Sequence, residues 1–335
     1  MSIVAVTGPS GHVGANLVRV LLERGHTVRV LVRRETLPAL AGLEVELVKG
    51  DVREPESLAR LVEGAAAVFH AAGVISIAGD PLGLVEQVNV RGTANVADAA
   101  LAAGVKMIYF CSVHAFEQAP LGEPIDESRV RVVKGTAYDR SKAGGEAEVR
   151  KRVAKGLDAM ILHPSGILGP FDFGPSRMGR VFLDMYHRRL PALVPGGFDW
   201  VDVRDVADAA INAWERGRTG ESYIVSGRWA SMGELSTLAA EITGIAPPRI
   251  ETPLWLARAG APFMEAWARV RKTEPLYTRE SLLVLQANRA YVREKATREL
   301  GHAPRPLHES IRDAHRWFAE SGALPRTLLR RLDAA

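Results

Sequence analysis

The chain has 335 residues, 47% of them hydrophobic and 24% charged, a mixture that fits a folded domain with room for a second lobe and excludes general disorder. Its 43 basic and 39 acidic side chains leave a formal charge of +4, with no arginine stripe interleaved with aromatics, so nucleic acid is not an expected partner. One cysteine, no signal-peptide pattern and no apolar run of membrane-spanning length lead us to expect a cytoplasmic protein without stable membrane insertion.

The first element is an apolar run, Ile3-Val4-Ala5-Val6, followed by Thr7-Gly8-Pro9-Ser10-Gly11-His12-Val13-Gly14 and a helical stretch to Arg24. A glycine turn between a strand and a helix lets backbone N-H groups approach a pyrophosphate, whose charge the positive helix end stabilises. Gly8 suits the tight turn, Gly11 leaves room for phosphates, and Gly14 allows close helix packing. Thr7, Gly8, Ser10, Gly11, His12, Val13 and Gly14 are therefore the candidate dinucleotide contacts.

His26 to Val32 reads as the second strand, and the residues at its end select the cofactor. A carboxylate there would accept from a ribose 2′-hydroxyl, whereas Arg33 and Arg34 can pair with a 2′-phosphate, which favours NADP. The alternative is NAD, with Glu35 accepting the ribose and both arginines solvated. Leu43 to Val48 is a third strand leading to Asp51 and Val52, where Asp51 can accept from an adenine amino group. Ala66 to His70 is a fourth, running into Ala71, Ala72 and Gly73, small residues that let the backbone pass close to the nucleotide. His70 is expected to be a packed strand-end residue.

Leu82 to Ala103 carries helical apolar spacing and includes Asn89, and Val105 to Phe110 is the fifth strand. Cys111 follows within an apolar run and is expected to be inert packing, and Ser112 stands at the strand end. Strands alternating with helices imply a doubly wound parallel sheet that binds ligands at the carboxyl ends of its strands. After a polar connection, Tyr138-Asp139-Arg140-Ser141-Lys142 opens a helix to about Lys155. Residues four apart share a helix face, so Tyr138 and Lys142 point into one site. An ammonium beside a phenol favours the phenolate, each pK unit being worth about 1.4 kcal/mol. Ser112 would hydrogen-bond a substrate oxygen against that phenol.

The glycine loop, Ser112 and the Tyr138-to-Lys142 spacing together resemble the extended short-chain dehydrogenase/reductase superfamily, the NAD-dependent epimerase/dehydratase family. Thr7 to Gly14 matches its TGxxGxxG loop, Asp51-Val52 its adenine-contacting pair and Asn89 its fourth-helix asparagine. Ser112, Tyr138 and Lys142 match its catalytic serine, tyrosine and lysine. The resemblance implies hydride transfer with nicotinamide, with Tyr138 as acid/base and Ser112 polarising the carbonyl. Lys142 would lower the tyrosine pKa and bind the nicotinamide ribose. It also implies a homodimer through the helices bearing Asn89 and Tyr138.

Leu157 to His163 is a sixth strand entering Pro164, Ser165, Gly166 and Ile167, a segment that in extended members meets the nicotinamide end. Epimerases of sugar nucleotides usually carry YFN at positions 164 to 166, and dehydratases an acidic pair where Val113 and His114 stand. Pro164 resembles instead the dihydroflavonol-reductase-like branch of ketone and aldehyde reductases. Val113, His114, Phe173, Arg177, Met178 and Trp200 are the candidate substrate contacts, Arg177 as an anchor for a carboxylate or phosphate. Asp205 is expected to cap a helix.

Farther on, Ser231 to Thr243 reads as a helix, Trp255 to Val270 as an apolar stretch interrupted by Gly260 and Pro262, and Leu307 to Ser321 as the last helix. Arg326, Arg330 and Arg331 read as a solvated face. No metal-ligand cluster is apparent.

The expected architecture is α/β: a Rossmann-type dinucleotide domain over residues 1–170 and a substrate lobe over 171–335, with 198–228 returning to the first. The expected activity is an NADP-preferring carbonyl reductase, or the corresponding alcohol dehydrogenase, acting on a small-molecule carbonyl or alcohol. Its rivals are a sugar-nucleotide epimerase with tightly bound NAD and a non-catalytic dinucleotide sensor.

Overall fold

The structure, a computed structural model, describes residues 2–76, 79–271, 278–286 and 289–333. Seven strands form one parallel sheet: β1 (Ile3–Thr7), β2 (Thr27–Val32), β3 (Glu46–Lys49), β4 (Ala67–His70), β5 (Lys106–Phe110), β6 (Ala159–Pro164) and β9 (Ser222–Val225). They lie in the order β3-β2-β1-β4-β5-β6-β9. The order reverses between β1 and β4, so a crevice opens at the carboxyl ends of those two strands. β4 and β6 are buried along their whole length, as expected of parallel strands covered on both faces.

The covering helices are α1 (His12–Glu23), α2 (Pro55–Val62) and a run of α3 (Leu84–Glu86), a π-helical turn (Gln87–Gly92) and α4 (Thr93–Ala103). On α1, Ala15, Leu17, Val18 and Leu21 make the buried stripe, at helical spacing. The run ends at Gly104, whose φ of 65° is the left-handed conformation that lets a chain leave a helix. α5 (Ala137–Val153) opens on Thr136, whose hydroxyl accepts from Asp139 N while the Asp139 carboxylate accepts from Thr136 N. This reciprocal cap fixes where the Tyr138 turn begins.

A second sheet holds β7 (Gly166–Leu168), β8 (Gly197–Asp202) and β10 (Arg228–Ser231), in the order β10-β8-β7. With α6 (Arg177–Tyr186), α8 (Met232–Thr243), α12 (Leu307–Glu320) and α13 (Thr327–Asp333), it encloses the lobe core of Phe182, Trp200, Leu235, Ile311 and Phe318. α7 (Val203–Arg216) and α11 (Glu294–Leu300) belong to the main body, where Asn212 donates to the Leu300 carbonyl at 2.9 Å. α9 (Leu254–Arg271) and α10 (Arg279–Val284) lie beside the lobe.

Four local expectations are corrected. The third strand starts at Glu46, not Leu43: its pairing with β2 begins at Arg29–Glu46, while Leu43 and Val45 pack as side chains against the core instead. Asp202, not Asp205, caps α7, accepting from Arg204 N, while buried Asp205 accepts from Arg305 N and pairs with its guanidinium. Gly260 and Pro262 do not interrupt the Trp255 stretch: α9 runs through both, and Arg258, whose carbonyl loses its partner at Pro262, is exposed to solvent. Residues 272–277 of that segment lie outside the described ones. Arg331 is not simply solvated, since its guanidinium donates to the Ile242 carbonyl and sits against Gly244 at the end of α8, where a cation is favoured.

Candidate active site

The glycine loop is built so that only glycine fits. Gly8 has a φ of +72°, and a Cβ there would lie 2.7 Å from Ala72 N. At Gly14 a Cβ would lie 2.1 Å from the Gly8 carbonyl oxygen, so this glycine packs against the loop itself. Gly11 is the N-cap of α1 and brings no side chain to the first-turn amides. These amides, beneath an uncapped helix end, fit a diphosphate.

Behind the loop, a hydrogen-bond chain joins the strand ends. Ala72 N donates to the Thr7 hydroxyl, which is 2.7 Å from His70 Nδ1; His70 Nε2 is 2.9 Å from the Thr93 hydroxyl, which donates to the Asn89 carbonyl. The direction of the outer bonds assigns the imidazole proton to Nε2. Burial pushes the His70 pKa down to about 3, aided by the Lys142 charge, so the ring is neutral. His70 is thus the packed strand-end residue expected. His12 leaves the loop sideways, its Nε2 3.0 Å from the Pro170 carbonyl.

Arg33 and Arg34 are exposed past the end of β2. Asp51 is held by Arg53, which donates from its backbone and guanidinium, and its pKa is lowered chiefly by that bond, with Arg33 adding to it. Val52 is buried beneath Gly92. Asn89, in the π turn, accepts from Val74 N at 2.7 Å and donates to the Val74 carbonyl and to the Ser141 hydroxyl. It clamps the segment after Gly73 to the helix bearing Tyr138 and Lys142. A π turn at such a junction is a common mark of a functional site.

Ser112 follows β5 in an extended conformation, its hydroxyl accepting from His114 N. The Tyr138 pKa is raised by burial, which outweighs the lowering effect of the nearby Ser112 hydroxyl. Lys142 is buried, donates to the Phe110 carbonyl at 3.0 Å and lies 6.0 Å from the Tyr138 ring centroid; burial lowers its pKa. A Cβ on Gly73 would lie 3.6 Å from the Lys142 ammonium, so the segment after β4 passes directly over it. Ser112, Tyr138 and Lys142 thus meet at the carboxyl edge of the sheet. His114 joins them: its ring packs edge-on to Tyr138 at 5.6 Å, and Nδ1 is 3.0 Å from the Asp139 carboxylate.

The sixth-strand segment forms the neighbouring wall. Pro164 pairs with Val225, and the Ser165 hydroxyl donates to Asp199 at 2.6 Å, beside Gly227 N at 2.7 Å. Burial raises the Asp199 pKa. A Cβ at Gly166 would strike the Asp199 carbonyl and the Trp200 ring, and Ile167 packs on the main core.

Most of the expected substrate contacts lie elsewhere. Val113 is buried with Phe116, Ile125 and Ile224. Trp200 belongs to the lobe core, its indole N-H donating to the Ala230 carbonyl, because β8 turns that face away from the site. Phe173 packs with Phe171 and Trp317 beneath the Arg19 guanidinium of α1, and Met178 packs on the lobe core. Arg177 is exposed in the first turn of α6.

The sequence reading missed a buried network behind Ser112. Glu146, one turn beyond Lys142, receives two bonds of 2.7 Å from Arg131 and one of 2.8 Å from Arg150. His163 Nδ1 donates to the Ser112 carbonyl at 3.0 Å, while Nε2 lies 3.6 Å from Glu146. Among the described residues, Cys111, Glu146 and His163 are the one group spaced closely enough for a metal ion. The guanidiniums already hold the carboxylate, and burial pushes the Cys111 thiol up to about 12, so the chemistry is that of an ion pair. Gln118, bonded to the Val113 and Phe116 carbonyls, and Tyr291, whose hydroxyl donates to Gln118, were missed as well. The bond between them spans 173 residues and leaves no local signal.

The sequence profile of the NAD-dependent epimerase/dehydratase family matches residues 4–226. The chain belongs to that family. Sterol demethylase protein B of Methylococcus capsulatus is 36% identical over 325 residues, covering 95% of this chain and 99% of that one. A putative dihydroflavonol 4-reductase of Synechocystis is 34% identical over 330 residues, covering 95% and 94%. The crystal structure of gox2253 superimposes with a TM-score of 0.83 at 36% identity, covering 97% of this chain and all of that one. This member of the family therefore has reductase-type relatives along nearly its whole length, and no helix among its described residues is long and apolar enough to cross a membrane.

Proposed function

We propose that this family member is an NADP-preferring reductase of an apolar ketone or aldehyde, or catalyses the reverse oxidation. The observation that carries the proposal is the convergence of Ser112, just past β5, with Tyr138 and Lys142 of α5, the Lys142 ammonium buried 6.0 Å from the Tyr138 ring centroid and held by the Phe110 carbonyl. The glycine loop and the α1 amides would hold the diphosphate. Asp51 would meet the adenine, Arg33 and Arg34 the 2′-phosphate, Lys142 the nicotinamide ribose, and the Gly73 and Pro164 to Ile167 segments the nicotinamide. When bound, that cofactor supplies the hydride.

The protein supplies the proton and the alignment. Burial keeps the Tyr138 phenol protonated at neutral pH, so Oη can give its proton to the carbonyl oxygen. The Ser112 hydroxyl donates to the same oxygen and takes up charge as it develops. Lys142, fixed by the Phe110 carbonyl, keeps a positive charge beneath the phenol after the proton has left. An apolar substrate is supported by relatives whose names specify a sterol and a dihydroflavonol, both fused-ring, largely apolar molecules.

NADPH oxidation over a panel of polycyclic ketones tests the proposal. Tyr138→Phe should lower turnover about 10²–10⁴-fold while leaving NADPH binding intact; unchanged turnover would refute the role. The family profile also admits an epimerase. In that case the purified protein should release near-stoichiometric NAD on denaturation, because a cofactor regenerated in each cycle has no need to leave.

A further inference from the structure

We propose that the outer face of α9 and α10 is a docking surface for an anionic lipid bilayer, from which the apolar carbonyl substrate is drawn; the second clause rests on the reductase reading above. The inner face of this pair is closed by Ala257 and Ala261 of α9 against Leu282 of α10, with Val194 and Leu285. The outer face carries Trp255 and Phe263, 71% and 78% exposed and eight residues apart on the helix, with Leu256 and Leu283 also exposed. A soluble helix usually turns such side chains inward, whereas tryptophan, phenylalanine and leucine beside arginine are what the headgroup boundary takes up.

Charge supports the same partner. Residues 249–289 hold seven arginines and lysines against four acidic residues, so this stretch carries three of the four formal positive charges of the chain. Arg258 lies on α9 and is exposed, its guanidinium reaching Gln286 at 2.9 Å. An exposed apolar face within a stretch of net positive charge complements a bilayer containing anionic lipid.

The pair is also tied by hydrogen bonds toward the site. The Leu285 carbonyl, just past α10, accepts from Gly197 N and so fixes the pair to β8. The chain then reaches Tyr291, which bonds Gln118, and Gln118 bonds the Val113 carbonyl next to Ser112.

The experiment is co-sedimentation of the full chain with phosphatidylcholine vesicles, with and without phosphatidylglycerol, at low and high salt. The wild type should pellet with the anionic vesicles and be released by salt. Trp255→Ser with Phe263→Ser should reduce the bound fraction at least about tenfold, since each ring removes apolar area from the interface. Leu82→Ser, which changes an equally exposed residue far along the chain, should bind as the wild type does. Tyr138→Phe should also bind normally, so the docking surface and the catalytic reading fail or stand separately. The proposal is overturned if the wild type ignores both vesicle types, or if the double variant binds undiminished. It is equally overturned if the lipid-free wild type sediments as a dimer that the double variant dissociates, which would assign the face to a second copy of the chain.

Discussion

Glu146→Gln tests the network behind the site and has a magnitude that the geometry supplies. The carboxylate is 1% exposed and bonds two guanidiniums, one of them through paired 2.7 Å bonds. Removing one partner from a buried ion pair costs about 3–5 kcal/mol. Arg131 and Arg150 keep 25% and 42% of their side-chain surface in water and can rehydrate, so we expect the lower end, about 3 kcal/mol. At about 2 °C per kcal/mol for a chain of this size, the melting temperature should drop by about 6 °C at pH 7. Against burial, the bond from Arg131, then the charges of His163, Arg131 and Arg150, hold the Glu146 pKa below the ordinary carboxylate value, so ionised Glu146 stabilises the fold above that value. The gap between wild type and variant should therefore narrow as pH falls through the depressed pKa. Thermal unfolding of both proteins from pH 7 down to about pH 3 measures it. A loss under about 1 kcal/mol, or a gap that does not change with pH, would refute the assignment of this pair as a stabilising anchor.

Three further outcomes concern the cofactor and proton-transfer groups. Gly14→Ala places a methyl 2.1 Å from the Gly8 carbonyl, so loop and helix must separate; the Kd for NADPH should rise at least about tenfold in a fluorescence titration. Arg33→Ala should weaken NADPH about tenfold while leaving NADH nearly unchanged, since one exposed charge-assisted contact is lost; equal weakening of both would remove the case for NADP. Burial lowers the Lys142 pKa, so kcat/KM for reduction should fall on the alkaline side below about 10.4, the ordinary lysine value. Lys142→Arg, where active, should move that limb upward.

What the sequence disclosed was local. The glycine loop could be read because Gly11 and Gly14 answer to Gly8 and the spacing of all three is local, and the Tyr138–Lys142 pair because one helix turn sets its spacing. The reciprocal Thr136–Asp139 cap was equally local, and the T-x-x-D pattern would have revealed it. Arg131, Glu146 and His163 come from three segments that meet only after β5, α5 and β6 have packed, so no spacing marks them. The substrate contacts failed for a related reason: the facing of Trp200 and Phe173 is decided by how the lobe docks. Asp205 was read as a cap because it is acidic and near a helix start. β8 ends at Asp202, so that this residue directly precedes α7 and its carboxylate meets the Arg204 amide.

β8 shows how one strand can serve both the lobe and the catalytic body. Successive side chains on a strand point to opposite faces. Phe198 and Trp200 face the lobe core, whereas Asp199 accepts from Ser165 beside the site and Val201 packs into the main core with Val206 and Ile211. Asp202, at the next position, caps α7 and pairs with Arg204, which reaches Asp313 on α12 at 2.7 Å. A shift of the lobe that moved Trp200 would therefore be transmitted through a single peptide unit to Asp199 and on to the wall at Ser165 and Gly166.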